Sequence, residues 1–290
     1  MKNANSPFKT EKKRGEALNK PIAAAIAAAL ILVLAGSVLV ILTKNDFDLR
    51  SALSGEVMTS AEEEKTSEQP DIPASNKYYL LYCTDDESGD MTLLWIVKVR
   101  LPQRTFNFYA PSVQTVASRS GENVSFNYIC RTRGHDELVD AVEKEYGIKI
   151  SKSMYCKASG FKAMINYFGG ITFSVPEKVE YREEFNLFLI EGVNTMKGDV
   201  LYKYLLWLGF GQGENISVRS DVLAEIFRTV LTGSNAAKTD AIYSKLANSV
   251  TTDFTIVDYR SEIDTVNYIF ENGMAKVNVC LSESELTGKK

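Results

Sequence analysis

Four carboxylates crowd the segment Asp85-Asp86-Glu87-Ser88-Gly89-Asp90, between two apolar runs. Two carboxylates separated by a tight turn can share one hard divalent cation, because such ions take oxygen ligands. An acidic turn that only meets solvent has the same composition, and the string leaves both readings open. No nucleophile and base stand out elsewhere. Gly-x-Ser-x-Gly is absent, and the one histidine, His135, precedes the acidic start of a helical pattern, which is a helix-flanking place rather than a catalytic one. Cys83, Cys130, Cys156 and Cys280 are scattered with no Cys-x-x-Cys, and no His-Glu-x-x-His occurs, so a structural zinc site is not expected. The four cysteines suit disulfides and buried small hydrophobes equally well. The run Leu205-Leu206-Trp207-Leu208-Gly209-Phe210 is strongly apolar. Core packing is its expected use, with the lining of a lipid-tail pocket as the alternative.

The elements that must position the acids read as strands. Tyr78–Cys83 is a short β-prone run that ends in the polar turn Thr84–Gly89, and Met91–Val99 is almost continuously apolar, as a central strand would be. After a turn at Pro102-Gln103-Arg104, Thr105–Ala110 supplies a third strand. Helical period then takes over. Leu138, Val139, Val142 and Tyr146 share one face, with Gly147 as a stop. A strand near Met154–Lys157, a helix over Ser159–Phe168 closed by Gly169-Gly170, and a strand at Ile171–Val175 follow. Residues 177–192 read as a loop, Thr195–Leu208 and Asp221–Leu231 as helices, and Asp240–Val250 and Arg260–Phe270 as two more. A last strand, Ala275–Leu281, leads to a polar tail over 283–290. The expected fold is α/β (α+β), with a mixed central β-sheet flanked by helices in a layered sandwich, preceded by one transmembrane helix.

That preceding helix is residues 21–43, which hold no charge and are mostly Ala, Ile, Leu and Val. As a helix they would be about 34 Å long, enough to cross a hydrocarbon core of about 30 Å. A cleaved signal peptide is the rival reading, but its apolar core is shorter, and Thr43-Lys44-Asn45-Asp46 offers no small-x-small site. Before the run lie Lys2, Lys9, Lys12, Lys13, Arg14 and Lys20 against only Glu11 and Glu16. The positive-inside tendency therefore keeps residues 1–20 cytoplasmic and the rest outside the cell membrane, in contact with membrane lipid only at the span. This basic tail carries +4, and the whole chain of 290 residues carries −4, so what remains carries −8. An acidic outer part is a poor partner for nucleic acid. Residues 44–76, rich in Ser, Glu and Pro, read as a solvated stalk, and residues 77–282 as the folded domain.

Several strings in this order resemble the LytR-CpsA-Psr family. Tyr79–Asp85 is similar to that family's first strand and its Gly-x-Asp ending, with Cys83 in the glycine's place. Asp90–Val97 resembles its Asp-Thr-hydrophobic strand, and Asn127–Ile148 its Lys-x-Asn segment and the helix after it, with Ser125 where lysine is expected. Phe161–Val175 resembles its Phe-x-x-hydrophobic-Gly-Gly-Val stretch. Glu191-Gly192 with Met196–Leu201 is similar to its Gly-x-x-x-Leu-x-Gly-x-x-Ala-Leu segment, and Ser249–Thr255 to its late Thr-Asp motif. The resemblance implies a membrane-anchored, extracytoplasmic bacterial protein. Such proteins transfer glycopolymers from polyprenyl-pyrophosphate carriers to peptidoglycan, with Mg²⁺. It assigns the metal to Asp85 and Asp90, with Asp86 as a substitute.

The arginines depart from that pattern. A diphosphate leaving group needs guanidinium groups or a metal around its oxygens. Where the resemblance implies arginines, this chain has Ser112, Leu206 and Leu208. Arg131, Arg133 and Arg219 are the remaining candidates for substrate binding, with surface salt bridges as their ordinary use. The sequence therefore implies weakened or lost transfer. The alternatives are an active phosphotransferase with a rearranged cation set and a non-catalytic envelope binding or sensory module.

Overall fold

A computed structural model describes residues 76–119, 121–183, 186–210 and 215–289. The predicted basic tail, the 21–43 span and the stalk before residue 76 lie outside the described residues. Among those described, no helix is long and apolar enough to cross a membrane.

Five strands and one short bridge build the central sheet. They are β1 (Asn76–Thr84), β2 (Met91–Arg100), β3 (Thr105–Tyr109), β6 (Ile150–Lys157), β11 (Thr251–Thr252) and β12 (Lys276–Val279). Their order is β11-β6-β1-β2-β3-β12. The sheet is mixed, since β1 runs antiparallel to β2 and parallel to β6, and β12 runs parallel to β3. Because alternate residues of a strand point to opposite faces, the unbroken apolar run of β2 requires cover on both sides. Leu93, Trp95, Val97 and Val99 belong to one core, shared with helices α3 (Ala158–Tyr167), α4 (Gly198–Phe210) and α5 (Ile216–Val230). Leu94 and Ile96 belong to the other, with α1 (Phe126–Arg133) and α2 (His135–Tyr146). Gly147, in the left-handed conformation, ends α2 as expected.

Several segments differ from the sequence reading, each for a local reason. Helix α1 precedes α2 and is split from it at Gly134, with Ser125 capping its start by accepting from the Tyr128 N–H. The hairpin β4 (Val116–Arg119) and β5 (Glu122–Ser125) leads into it. The expected loop over 177–192 contains a hairpin of three-residue strands, β8 (Val179–Tyr181) and β9 (Leu187–Leu189), too short for their alternation to register. Thr195 and Met196 are not helical. They end strand β10 (Gly192–Met196), which pairs with β7 (Ile171–Val175), and α4 begins only at Gly198. A Cβ at Gly198 would sit 2.2 Å from the Lys162 carbonyl oxygen, so only glycine lets α4 start this close to α3. Asp221–Leu231 is part of the longer α5. Beyond α6 (Gly233–Ala236) and α7 (Thr239–Ser249), the helix expected over Arg260–Phe270 is two, α8 (Ile256–Ser261) and α9 (Ile263–Asn272). A capping box of Thr255 and Asp258 starts α8.

The segment expected as a polar tail carries α10 (Glu283–Thr287), and Leu286 is fully buried in the second core. Lys98, buried on β2, donates from Nζ to the carbonyl oxygens of Leu286 and Thr287 at 3.0 and 3.3 Å. Its charge thus meets the negative end of α10. All four cysteines are free; Cys83 and Cys156 face each other across β1 and β6 with their Sγ atoms 4.0 Å apart.

Leu286→Ala is expected to lower unfolding stability by about 2–4 kcal/mol in urea titrations, the usual cost of emptying a buried leucine site. Leu281→Ala, at an exposed position, should cost under about 0.5 kcal/mol. A second expectation concerns acid. The Lys152 ammonium, 2.9 Å away, and the N–H and hydroxyl of Thr255 hold the Asp258 carboxyl down at about 2. A carboxyl depressed in the folded state stabilises it above the ordinary value of 3.8 and stops doing so as pH falls towards about 2. The gap in urea midpoint between wild type and Asp258→Asn should therefore be full above pH 3.8 and close as pH falls below it.

Candidate functional site

The acidic turn joins β1 to β2 and is closed by the Asp85 N–H donating to the Asp90 carbonyl at 2.8 Å. Asp85 Oδ1 accepts the N–H groups of Ser88 and Glu87 at 2.8 and 3.0 Å and the Ser88 hydroxyl at 3.1 Å. The Ser88 N–H, followed by that of Glu87, holds the Asp85 carboxyl below the usual aspartate range. Asp86 reaches across to the first turn of α3, accepting the Ser159 N–H at 3.0 Å and its hydroxyl at 2.8 Å. Lys157 makes no side-chain cap there, so this carboxylate from another loop fills that role.

Asp90 meets α1. Its Oδ1 accepts Arg131 Nη1 at 3.1 Å and Asn127 Nδ2 at 3.5 Å. The Asn127 side-chain oxygen accepts the Met91 N–H at 2.7 Å. Asn127 and Arg131 are four residues apart, so they share a helix face and grip the start of β2 together. Of the three predicted substrate cations, only Arg131 comes to the acids. Arg133 Nη2 pairs with Glu122 Oε2 at 2.8 Å, the surface salt bridge expected of it. Arg219 is buried rather than on the surface. It is 4% exposed, and Nη2 donates to the carbonyl oxygens of Ala110 and Pro111 at 3.0 and 2.6 Å. These carbonyls lie where the chain leaves β3, beyond the reach of sheet pairing, and a buried carbonyl needs a donor. Ser112 accepts the Gln114 N–H through its hydroxyl at 3.1 Å. Leu208 is buried and Leu206 half-buried against the first core.

These residues do not by themselves fit a resident Mg²⁺. Each carboxylate of the turn that could serve is already engaged by donors of the chain itself. Among the described residues, no three of His, Cys, Asp and Glu come together in a way that could hold a metal ion. His135 is a structural link. Nδ1 lies 2.9 Å from the Tyr82 hydroxyl and Nε2 lies 2.9 Å from the Ser153 hydroxyl, with the ring stacked on Tyr82 and Tyr155.

An apolar cavity of about 280 Å³ lies beside the turn. Leu81, Tyr82 and Cys83 of β1 and Met154, Tyr155 and Cys156 of β6 form one wall. Trp95 of β2, the α3 residues Phe161, Met164 and Ile165, the α5 residues Leu223, Ile226 and Phe227, the α7 residues Ile242 and Leu246, and Phe270 of α9 line much of the rest. Cys83 lies two residues before Asp85, and Phe161 lies two after Ser159, which Asp86 holds. Sequence reasoning missed this cavity, since its lining comes from seven elements with no shared local signal. Leu205, Leu206, Trp207 and Leu208 are not among the residues that line it. Leu205 and Leu208 are core side chains, as the packing reading expected.

Comparison with known proteins bears on this arrangement. Residues 111–289 match the model of the LytR_cpsA_psr family. The polyisoprenyl-teichoic acid–peptidoglycan teichoic acid transferase TagV of Bacillus subtilis is 25% identical over 191 residues, covering 61% of this chain and 48% of TagV. The chain thus spans about half the length of that curated relative. The fold is also similar to that of the crystal structure of B. subtilis TagV, at a TM-score of 0.58 and 20% identity over 72% of this chain and 85% of the other. A Eubacterium siraeum protein gives 0.62 at 16% identity over 78% and 89%, and TagT bound to LI-WTA gives 0.54 at 14% over 71% and 78%. With the mixed sheet, the order of its elements and a family match over more than half its length, the chain belongs to the LytR-CpsA-Psr family.

Proposed function

We propose that this protein is a membrane-anchored, extracytoplasmic member of its family that holds polyprenyl-linked envelope glycopolymer, with transfer to peptidoglycan weakened or lost. The observation that carries this reading is the apolar cavity, whose lining includes Cys83, two residues before the charged turn. At about 280 Å³ it lies near the lower end of small-molecule pockets, roughly 300–1,000 Å³. It would take a few isoprene units and leave the head group and polymer outside. The relatives' names support the substrate class, since TagV is a polyisoprenyl-teichoic acid–peptidoglycan transferase and TagT is seen with LI-WTA. Anchoring rests on the uncharged 21–43 run and its basic flank.

Weak transfer follows from Ser112, Leu206 and Leu208. Each charge-assisted contact to a phosphate is worth about 1.5–3 kcal/mol, and tenfold in rate costs about 1.4 kcal/mol. Three such contacts missing from the transition state would cost on the order of 10³-fold or more.

The full chain in detergent, titrated with geranylgeranyl diphosphate and followed by Trp95 fluorescence, should bind it at micromolar concentration. Met164→Trp, which places a bulky ring in the cavity, should weaken binding at least tenfold. With a polyprenyl-diphosphate-linked glycan and peptidoglycan, no polymer should appear on the wall material. Efficient transfer would establish the active alternative instead, and absence of lipid binding would remove the reading altogether.

A further inference from the structure

We propose that Cys83 and Cys156 are a disulfide-forming pair, a covalent modification site in the wall of the apolar cavity that ties β1 to β6. The inference is independent of whether the cavity takes a lipid.

Geometry carries it. The two residues are register partners on neighbouring parallel strands, so both side chains leave the sheet on the same face, into the first core. Neighbouring strands lie about 4.8 Å apart, inside the roughly 4.4–6.8 Å between Cα atoms that a disulfide spans. The Sγ atoms stand 4.0 Å apart, against a bond of about 2.05 Å. Side-chain rotation between staggered positions can close that gap. The chain just beyond both cysteines is already clamped. Asp86, three residues after Cys83, accepts the N–H and the hydroxyl of Ser159, three residues after Cys156. The strand ends are therefore held together, and the sulfurs stay facing each other. Cys130 and Cys280 belong to the second core, on the other side of the sheet.

The two thiols differ in access. Cys83 is fully buried, while Cys156 keeps 9% of its surface accessible, and both line the cavity. An oxidant therefore meets Cys156 first. A hydrogen bond from the Cys83 thiol favours the Cys156 thiolate and draws its pKa down, against the effect of burial. The oxidant is an external disulfide. The Cys156 thiolate attacks one of its sulfurs, breaks the S–S bond and releases one thiolate. Cys83 then loses its proton and attacks Cys156 Sγ, which expels the second thiolate. Two protein thiols become one disulfide, and the external disulfide takes up the two electrons and two protons to leave as two thiols. Disulfides form and persist outside the cytoplasm, the side proposed above for this domain.

The test uses the full chain in detergent, reduced, freed of reductant and then treated with dithiodipyridine, a small apolar disulfide. A tryptic digest made without reduction should contain the Cys83 and Cys156 peptides joined to each other. Both thiols should be lost to later alkylation, with no probe left on either. Cys83→Ala removes the partner thiol, so Cys156 should then keep the probe as a mixed disulfide. Wild type that retains the probe on Cys156 would overturn the proposal. So would wild type in which both thiols stay open to alkylation, or in which the cross-link runs through Cys130 or Cys280 instead. Lipid binding is not read in this assay, so neither result alters the reading of the cavity.

Discussion

The sheet of this protein is covered on both faces, and most of what is distinctive about it follows from that constraint. A strand buried on two sides must be apolar at nearly every position, as β2 is from Met91 to Val99. Polar chemistry is then confined to the places where strands end. The turn between β1 and β2 is such a place, and four carboxylates gather there. The buried cation of β2, Lys98, obeys the same rule, since the carbonyl oxygens at the end of α10 receive it. The last helix is thereby tied to the central strand.

Charge at the turn is organised by helices that arrive from opposite cores. Helix α3, on one face, offers the N–H groups of its first turn, and Asp86 takes Ser159. Helix α1, on the other face, offers Asn127 and Arg131 to Asp90. The turn is thus held between two helices that never touch the same core. This arrangement explains why its carboxylates are engaged separately rather than converging on one point, as a divalent ion would require.

The positions at which the resemblance implies arginines are packed rather than charged. Leu208 and Leu206 put hydrocarbon where guanidinium groups are implied by family resemblance, and they join the first core. Arg219 has been drawn inward as well, onto the carbonyl oxygens at the end of β3. A buried guanidinium needs all of its donors matched, so it cannot also wait for a substrate. The apolar cavity lies in the same layer, between β1, β6 and the helices.

How much of this was legible depended on whether the signal was local. Strands β1, β2 and β3, helix α2 with its Gly147 stop, and the helix and strand around Gly169-Gly170 could be read from the sequence, because periodicity and turn residues act over a few neighbouring positions. The acidic turn was legible for the same reason, as was the mixed α/β fold class. Short strands such as β8 and β9 escaped, and so did the break between α8 and α9, because three or four residues carry too little pattern. Only the tertiary structure decided where Arg131 and Arg219 point, that Asp86 caps a helix 73 residues away, and that seven elements leave a cavity between them. Those outcomes depend on which side chains meet across the sheet, and pairwise contact between distant residues leaves no trace in the order of neighbours along the chain.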